Sequence, residues 1–335
     1  MKRARIIPKP RVLVTRELPP AVMEFLQASF ELTVNPHNGT MPREELLKAL
    51  PGHAGLLPLL VDKVDAELLD AAGGSLRIVA NYAVGYNNID LDAATSRSVV
   101  VSNTPDVLTD STADLALALM LAMARRMVEA DGLTRPGRFP GQGPMFMLGT
   151  DLHHKTLGII GMGRIGRAVA RRGQGFDMRV LYHQRNRLDP VRERRLAVKY
   201  RGLDHLLAES DFISLHVPLT PDTRRMIGQH ELGLMKPTAY LVNTARGEVV
   251  DEAALVRALQ TGAIAGAGLD VYENEPELHP DLAKLSNTVL IPHLGSATLE
   301  TRTSMGLVAA RNLRAFLLEG RRPPNCLNSQ VLDQK

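Results

Sequence analysis

Short apolar runs rich in branched side chains alternate along this chain with longer stretches of helical periodicity. In the first hundred residues the runs are 11–15 (RVLVT), 55–60, 76–80 and 99–101. A helix is predicted over 19–30, with proline near its first turn. A second helical stretch, between the second and third runs, presents Leu68 and Leu69 to one side. Strands alternating with helices predict a small parallel α/β unit. From Thr156 the same rhythm strengthens. After the run that ends at Ile160 come 179–183, 197–200, 211–217, 239–243, 265–272 and 288–291. Strand candidates in such number, each followed by helical pattern, predict a doubly wound parallel sheet.

Between the two units Asn103, Thr104 and Pro105 read as a linker, feeding a helix that begins near Thr109 and runs through about Glu129. Asp110 and Ser111 are its candidate caps. Leu115, Leu117, Leu119, Met120, Leu121 and Met123 make it apolar nearly all round, which predicts burial in a core or against another subunit. The stretch 135–149 (RPGRFPGQGPMFMLG) is too long and apolar for a plain connection. It reads either as an arm crossing to a second subunit or as a self-packed surface loop. The last helix, 300–319, is amphipathic and is expected to return to the first domain.

One stretch carries a specific chemical signal. Leu157, Ile159 and Ile160 run directly into Gly161-Met162-Gly163-Arg164-Ile165-Gly166, and a helical pattern follows through Ala168, Val169 and Ala170. In this strand–turn–helix setting Gly161 permits the tight turn and Gly163 lets the backbone approach a pyrophosphate. Gly166 lets the helix pack closely on its strand. Free N–H groups and the positive dipole at the helix start attract the phosphates. A dinucleotide is expected here.

Three polar groups fall just past predicted strand ends of the second unit: Arg246, Glu275 and His293. An arginine is suited to clamping a carboxylate through two parallel hydrogen bonds. An imidazolium beside a carboxylate is stabilised, which suits a histidine to proton donation near working pH. With a nicotinamide these groups would make a ketoacid reductase. In the first unit, residues 81–90 (NYAVGYNNID) form a polar, glycine-containing loop after a buried strand, where open α/β sheets bind ligands.

Seven segments, in order, are NYAVGYNNID, TADLALALM, LGIIGMGRIG, SLHVPLTPDT, LVNTARGEVVDE, GAGLDVYENEP and PHLGSAT. Together they resemble the D-isomer-specific 2-hydroxyacid dehydrogenases, and the likeness covers about residues 11–327. The resemblance implies a Rossmann cofactor domain, 104–293, inserted into a flavodoxin-like substrate domain made of 1–103 and 294–335, with the active site in the cleft. It implies that Arg246 binds the substrate carboxylate and ketone, that His293 is the acid/base, and that Glu275 orients and charges His293. Backbone N–H groups around Val84 and Gly85 would hold the substrate carboxylate. Asp270 would neighbour the nicotinamide end and help set the pH dependence. For the cofactor it implies Thr112, Gly161, Met162, Gly163, Arg164, Ile165, Gln184, Arg185, Asn186, Arg187, Val217, Pro218, Thr223, Thr244, Ala245, Arg246, Asp270, His293 and Gly295.

Within the family the glyoxylate/hydroxypyruvate reductase branch is the most similar, so glyoxylate and hydroxypyruvate are the expected substrates. That branch often carries tryptophans in the arm. This chain has Phe139 and Gln142 there and no tryptophan at all, which leaves substrate size open. A 2-ketogluconate reductase, a phosphite oxidant and a dinucleotide-sensing protein like the corepressors that share the scaffold are the alternatives.

An acidic residue about twenty positions past the glycine turn ordinarily takes the ribose hydroxyls and repels a 2′-phosphate. Here Gln184-Arg185-Asn186-Arg187 follow the strand 179–183, with no acid before Asp189. Two guanidiniums at that place predict a preference for NADP(H), with NAD(H) as the lesser cofactor.

Composition narrows the rest. Hydrophobic residues make up 44% and charged ones 23% of 335, as in an ordinary globular protein. The net charge of +4 is spread along the chain apart from the opening and 192–195. Nucleic-acid binding needs a concentrated basic stripe, so small anions are the better match. Arg192 to Arg195 read as a solvated helix face, and the methionines as core filler. One cysteine, Cys326, excludes an internal disulfide framework and suggests the reducing cytoplasm. His153 and His154 have no ligand set around them in sequence, so no metal is expected. Prolines at 8 and 10 interrupt the basic opening before an apolar core of a signal peptide forms. The most apolar helix, 113–124, is too short to span a bilayer. A homodimer is expected from the buried helix and the arm.

Overall fold

A computed structural model describes residues 8–37 and 39–333; the basic opening before Pro8 lies outside the described residues. The chain divides into two units. One runs up to Leu108 and resumes at Thr298, and the other is Thr109–Ala297. The junctions expected from sequence were 103/104 and 293/294. Pro105 to Leu108 stay with the first unit because Val107 and Leu108 pack on its core. Gly295 stays with the second, bound to Asp270 and Thr112.

The first unit contains β1 (Arg11–Val14), α1 (Pro20–Ser29), β2 (Glu31–Val34), α2 (Arg43–Ala49), β3 (Gly55–Leu57), α3 (Ala66–Ala71), β4 (Ile78–Ala80), α4 (Leu91–Ser96) and β5 (Val100–Ser102). Its described strands pair in parallel in the order β2-β1-β3-β4-β5. A parallel sheet covered on both faces needs strands that are apolar on both sides, hence the uninterrupted runs in the sequence. Val12, Val14 and Ile78 face Val22 and Leu26 of α1, while Leu13, Leu56 and Val79 face Leu46, Leu68 and Ala94 from α2 to α4. Asp65 and Asp90 cap α3 and α4 by accepting the Leu68 and Ala93 N–H. The edge strand β2 is only half buried, so it leaves no apolar run in the sequence and was not predicted.

The second unit contains α5 (Thr109–Ala124), α6 (Met127–Thr134), β6 (Thr156–Ile160), α7 (Arg164–Gly175), β7 (Arg179–His183), α8 (Pro190–Leu196), β8 (Lys199–Tyr200), α9 (Leu203–Glu209), β9 (Phe212–Leu215), α10 (Gln229–Leu234), β10 (Tyr240–Asn243), α11 (Glu252–Gln260), β11 (Gly266–Leu269) and β12 (Thr288–Leu290). The order of its described strands is β12-β11-β10-β9-β6-β7-β8, with every pair parallel. The chain leaves β6 in one direction and returns to its other edge as β9. That reversal opens a crevice at the carboxyl ends of β6 and β9.

Two expectations about α5 are corrected. The helix ends at Ala124, not near Glu129, because Arg126 takes a left-handed conformation (φ 51°) and α6 starts afresh. Neither Asp110 nor Ser111 is its cap, since the helix already begins at Thr109; the Asp110 carboxylate instead pairs with Arg171 and Arg172 of α7. The burial expected of α5 holds, for eight of its residues lie inside the unit. α6, in contrast, buries none of its own. The final helix, α12 (Leu299–Leu317), belongs to the first unit. Gly306 brings it against α1, where a Cβ would sit 2.6 Å from Val22.

Candidate active site

Gly161 follows β6 with φ +98°, and a Cβ there would lie 2.5 Å from the His216 carbonyl oxygen. Only glycine tolerates both conditions. Gly166 sits in the first turns of α7 with a virtual Cβ 2.1 Å from the Gly161 oxygen, so the helix lies directly on its strand. Gly163, the N-cap of α7, is different. Its backbone is ordinary (φ −75°), and no protein atom lies within 4 Å of where its Cβ would be. The fold does not require glycine at this position, whereas a ligand approaching the helix N-terminus would. Gln184, at the end of β7, accepts the Met162 N–H at 3.1 Å and so braces the turn. Met162 itself is buried, while Arg164 is exposed and Ile165 half-buried.

The residues beyond Gln184 have unequal situations. Arg185 is 85% exposed and 3.8 Å from Asp222. Arg187 gives Nε and Nη2 to the two oxygens of Glu193, at 2.7 and 2.8 Å, and lies over the Tyr200 ring. These contacts hold Arg187 on α8 and β8, whereas Arg185 is the more exposed of the two arginines. The Asn186 carbonyl is taken by Gln184. Thr223 donates to the Pro218 carbonyl at 2.6 Å, closing its own loop, and Val217 packs on the core. His216 accepts or donates at Nε2 to Ser214 (2.8 Å), while its buried Nδ1 has no partner among the described residues. Burial pushes this imidazole down to about 3.

The three candidate catalytic groups follow neighbouring strands β10, β11 and β12. After β10, Asn243 folds an Asx turn, accepting the Ala245 N–H and donating to the Arg246 carbonyl. This sets Arg246, whose Nη1 donates to the Ala245 carbonyl. Burial draws its pKa below the ordinary value, opposed by Glu275 and Glu248; the guanidinium remains a cation. The Thr244 hydroxyl is buried and has no partner among the described residues. A small polar ligand group would satisfy it.

After β12, the His293 backbone is left-handed (φ 53°) and its N–H reaches the Asp270 carbonyl at 2.9 Å. Asp270, 1% exposed at the end of β11, also accepts the Leu294 and Gly295 N–H groups with its two carboxylate oxygens. Burial raises its pKa against those bonds and the His293 charge. Thr112 donates to the Gly295 carbonyl at 3.0 Å. Asp270 and Thr112, two expected cofactor residues, thus grip the loop that carries His293.

Glu275 extends from the loop after β11 and places Oε2 2.8 Å from His293 Nδ1. Its Oε1 accepts the Tyr272 N–H at 3.1 Å. Burial pushes the carboxyl up, but the His293 hydrogen bond and charge, the Tyr272 N–H and the Arg246 charge outweigh it, and its pKa lies below the ordinary value. Four contributors to this geometry were not identified from sequence. The Tyr272 hydroxyl donates to the Ile291 carbonyl, tying the two loops together. Gly247 packs so closely on the Tyr272–Glu273 peptide that a Cβ would meet it at 1.8 Å. Glu252 and Arg225 hold Glu273. The glutamate and glycine lie within LVNTARGEVVDE, but nothing in the spacing says what they would touch.

Val84 and Gly85 belong to the first unit. Their carbonyls accept from Asn103 and Asn81, which fixes both peptide planes of the loop after β4.

A family model described as the NAD-binding domain of the D-isomer-specific 2-hydroxyacid dehydrogenases matches residues 117–295. The glyoxylate reductase of Thermococcus kodakarensis is 51% identical over 97% of this chain and 98% of its own length. Among solved structures, the TT0316 protein of Thermus thermophilus matches with a TM-score of 0.88 and 47% identity, over 95% of this chain and 99% of that one. An NADPH-dependent glyoxylate/hydroxypyruvate reductase of Sinorhizobium meliloti, in complex with NADP and malonate, matches with a TM-score of 0.83 and 36% identity, over 95% and 97%.

Proposed function

Because the chain belongs to the D-isomer-specific 2-hydroxyacid dehydrogenase family, we propose that it reduces glyoxylate to glycolate and hydroxypyruvate to D-glycerate with NADPH. The observation that carries this reading is the 2.8 Å bond between His293 and Glu275, beside Arg246 at neighbouring strand ends. The nicotinamide supplies a hydride to the carbonyl carbon when bound. Arg246 pairs with the substrate carboxylate and polarises the ketone, a task matched to its forked guanidinium. His293 gives its Nε2 proton to the carbonyl oxygen, so the C=O bond becomes C–OH. Glu275 takes the Nδ1–H and leaves Nε2 as the proton-donating atom. Asp270 fixes the loop from which His293 projects. The peptide N–H groups at Val84 and Gly85 are assigned to the substrate carboxylate as well.

The cradle matches a dinucleotide on two counts: the open space at Gly163 and the orphaned Thr244 hydroxyl. Gly161 to Ile165, Gln184, Asn186, Val217, Pro218, Thr223, Ala245 and Gly295 complete the proposed contacts. We assign the 2′-phosphate to Arg185 in the first place, since Arg187 is already held by Glu193. A homodimer belongs to the same proposal. Met127, Val128, Phe139, Met145 and Leu148 are all more than half exposed, and a second copy would cover them. No helix of the described residues is long and apolar enough to cross a membrane. With a single cysteine, the reducing cytoplasm is the proposed location.

Steady-state kinetics with glyoxylate, hydroxypyruvate and 2-ketogluconate, each against NADPH and NADH, test the proposal. Glyoxylate or hydroxypyruvate with NADPH should give the highest kcat/KM. His293→Asn should lower kcat about 10²- to 10⁴-fold, the usual size of lost acid–base catalysis. Wild-type turnover in that variant would remove His293 from the reaction. Turnover of 2-ketogluconate alone would replace the substrate assignment.

A further inference from the structure

One buried carboxyl group in the second unit holds Glu273 without bonding to any group assigned a role in the chemistry above. Glu252, the first residue of α11, is 5% exposed, and its Oε1 accepts the Glu273 N–H at 2.7 Å. A carboxylate is a costly group to bury for one backbone hydrogen bond. Burial pushes its pKa above the ordinary value. The Glu273 N–H and His279 oppose this, while the charges of Glu273 and Glu275 act in the same direction as burial. The bond is therefore poorly explained as a stabilising device.

Its location suggests a different purpose. The Tyr272–Glu273 peptide rests on Gly247 with no space for a side chain between them. Arg225 takes the Glu273 carboxylate at 3.0 Å, and Glu252 takes the N–H of the same residue. Two residues further on, Glu275 receives the Tyr272 N–H and reaches His293. The loop is thus fixed at its root on three sides, and Glu252 is the side that faces the backbone. We propose that Glu252 is a positioning residue: by holding the Glu273 N–H it sets where Glu275 meets His293. The proposal rests on the assignment of Glu275 and His293 as the acid–base pair.

The experiment compares Glu252→Gln with Glu252→Asp in the full-length enzyme, using glyoxylate and NADPH. Glutamine removes the charge but keeps an acceptor oxygen at the same reach; aspartate keeps the charge but is one methylene short. Displacement by about 1 Å of a positioned group costs up to 10²-fold in rate. E252D should therefore lose about tenfold or more in kcat, with the KM for NADPH unchanged and the pH profile of kcat/KM displaced. E252Q should keep kcat within about threefold of wild type and overlay its pH profile. The proton NMR resonance of His293 Nδ1–H, identified by its absence in H293N, should persist in E252Q and vanish in E252D. Loss in E252Q with E252D unaffected overturns the proposal, because charge and not reach would then matter. Equal loss in both overturns it as well, because an acceptor oxygen at full reach would not then suffice. Full activity in both overturns it too. Should E252D not fold, E252Q decides alone: a tenfold loss of kcat, or loss of the resonance, is fatal, and retention of both is the expected result. E275Q and H293N are run alongside. Wild-type turnover in those two defeats the acid–base assignment itself, whereas their loss beside an unaffected E252D defeats only the role of Glu252.

Discussion

Gly163→Ala separates the needs of the fold from the needs of the ligand. The added methyl group meets no protein atom within 4 Å, and the backbone at φ −75° suits any residue. Alanine restricts the unfolded chain, a gain of about 0.4–1 kcal/mol, but is a poorer N-cap than glycine by a similar amount. Stability without cofactor should therefore change by less than about 0.5 kcal/mol. The same methyl group occupies the space from which a pyrophosphate would approach the first N–H groups of α7. Losing one hydrogen bond to a charged partner costs about 1.5–3 kcal/mol, or roughly tenfold to a hundredfold in Kd. At a cofactor concentration of 100 wild-type Kd, ligand stabilisation is about 2.7 kcal/mol. In the variant it should drop to between about 1.4 and 0.4 kcal/mol. Chemical denaturation with and without NADPH, with a direct fluorescence titration, measures both quantities. Gly166→Ala is the counter-test, since its Cβ would be 2.1 Å from the Gly161 oxygen. It should destabilise the protein without cofactor by about 1–3 kcal/mol, as overpacking does. Wild-type cofactor affinity in G163A would refute the reasoning, and so would destabilisation of the free protein equal to that of G166A.

Three further outcomes are expected. Arg185→Ala should reduce the NADPH/NADH ratio of kcat/KM more than Arg187→Ala does, because Arg187 is committed to Glu193; the reverse order would return the phosphate to Arg187. His216 is held neutral when folded, with its pKa near 3 against an ordinary 6.5. The unfolded chain therefore binds a proton first, and stability is lost as pH falls below 6.5, by about 2 kcal/mol at pH 5 from this residue. Denaturation curves of wild type and His216→Asn at pH 7 and 5 should show that difference, and parallel losses in the two would remove His216 from the acid response. The proposed homodimer predicts that the wild type sediments as a dimer and that Met145→Asp, at a side chain 78% exposed, sediments as a monomer. A monomeric wild type would end that proposal, and a dimeric variant would place the interface elsewhere.

The second unit was legible because each signal lay within a few consecutive residues. A buried parallel strand needs an apolar run, and a turn at a helix N-terminus needs its glycines at fixed offsets. Arg246, Glu275 and His293 could be singled out as polar groups just past strand ends. Strand boundaries were predicted too generously, as at 265–272 against Gly266–Leu269, since apolar residues continue into the packed loops. What could not be read depends on distance in sequence. Asp270 gripping the His293 loop spans more than twenty positions, as do Glu252 on Glu273 and Arg225 on the Glu273 carboxylate. The Arg187–Glu193 pair is close in sequence but turns on side-chain direction, which the pattern of charges does not give. The break after Ala124 was hidden because most of the residues beyond it, Arg125, Arg126, Met127 and Glu129, are good helix formers.

The glycine turn and the three groups at β10, β11 and β12 all come from Thr109–Ala297, one uninterrupted length of chain. The other unit is written in two pieces on either side of it. A single genetic cassette bounded by the two junctions would therefore carry the glycine turn, Arg246, Glu275 and His293 together. Exchange of that cassette would move the whole proposed constellation at once while the flanking pieces diverged on their own.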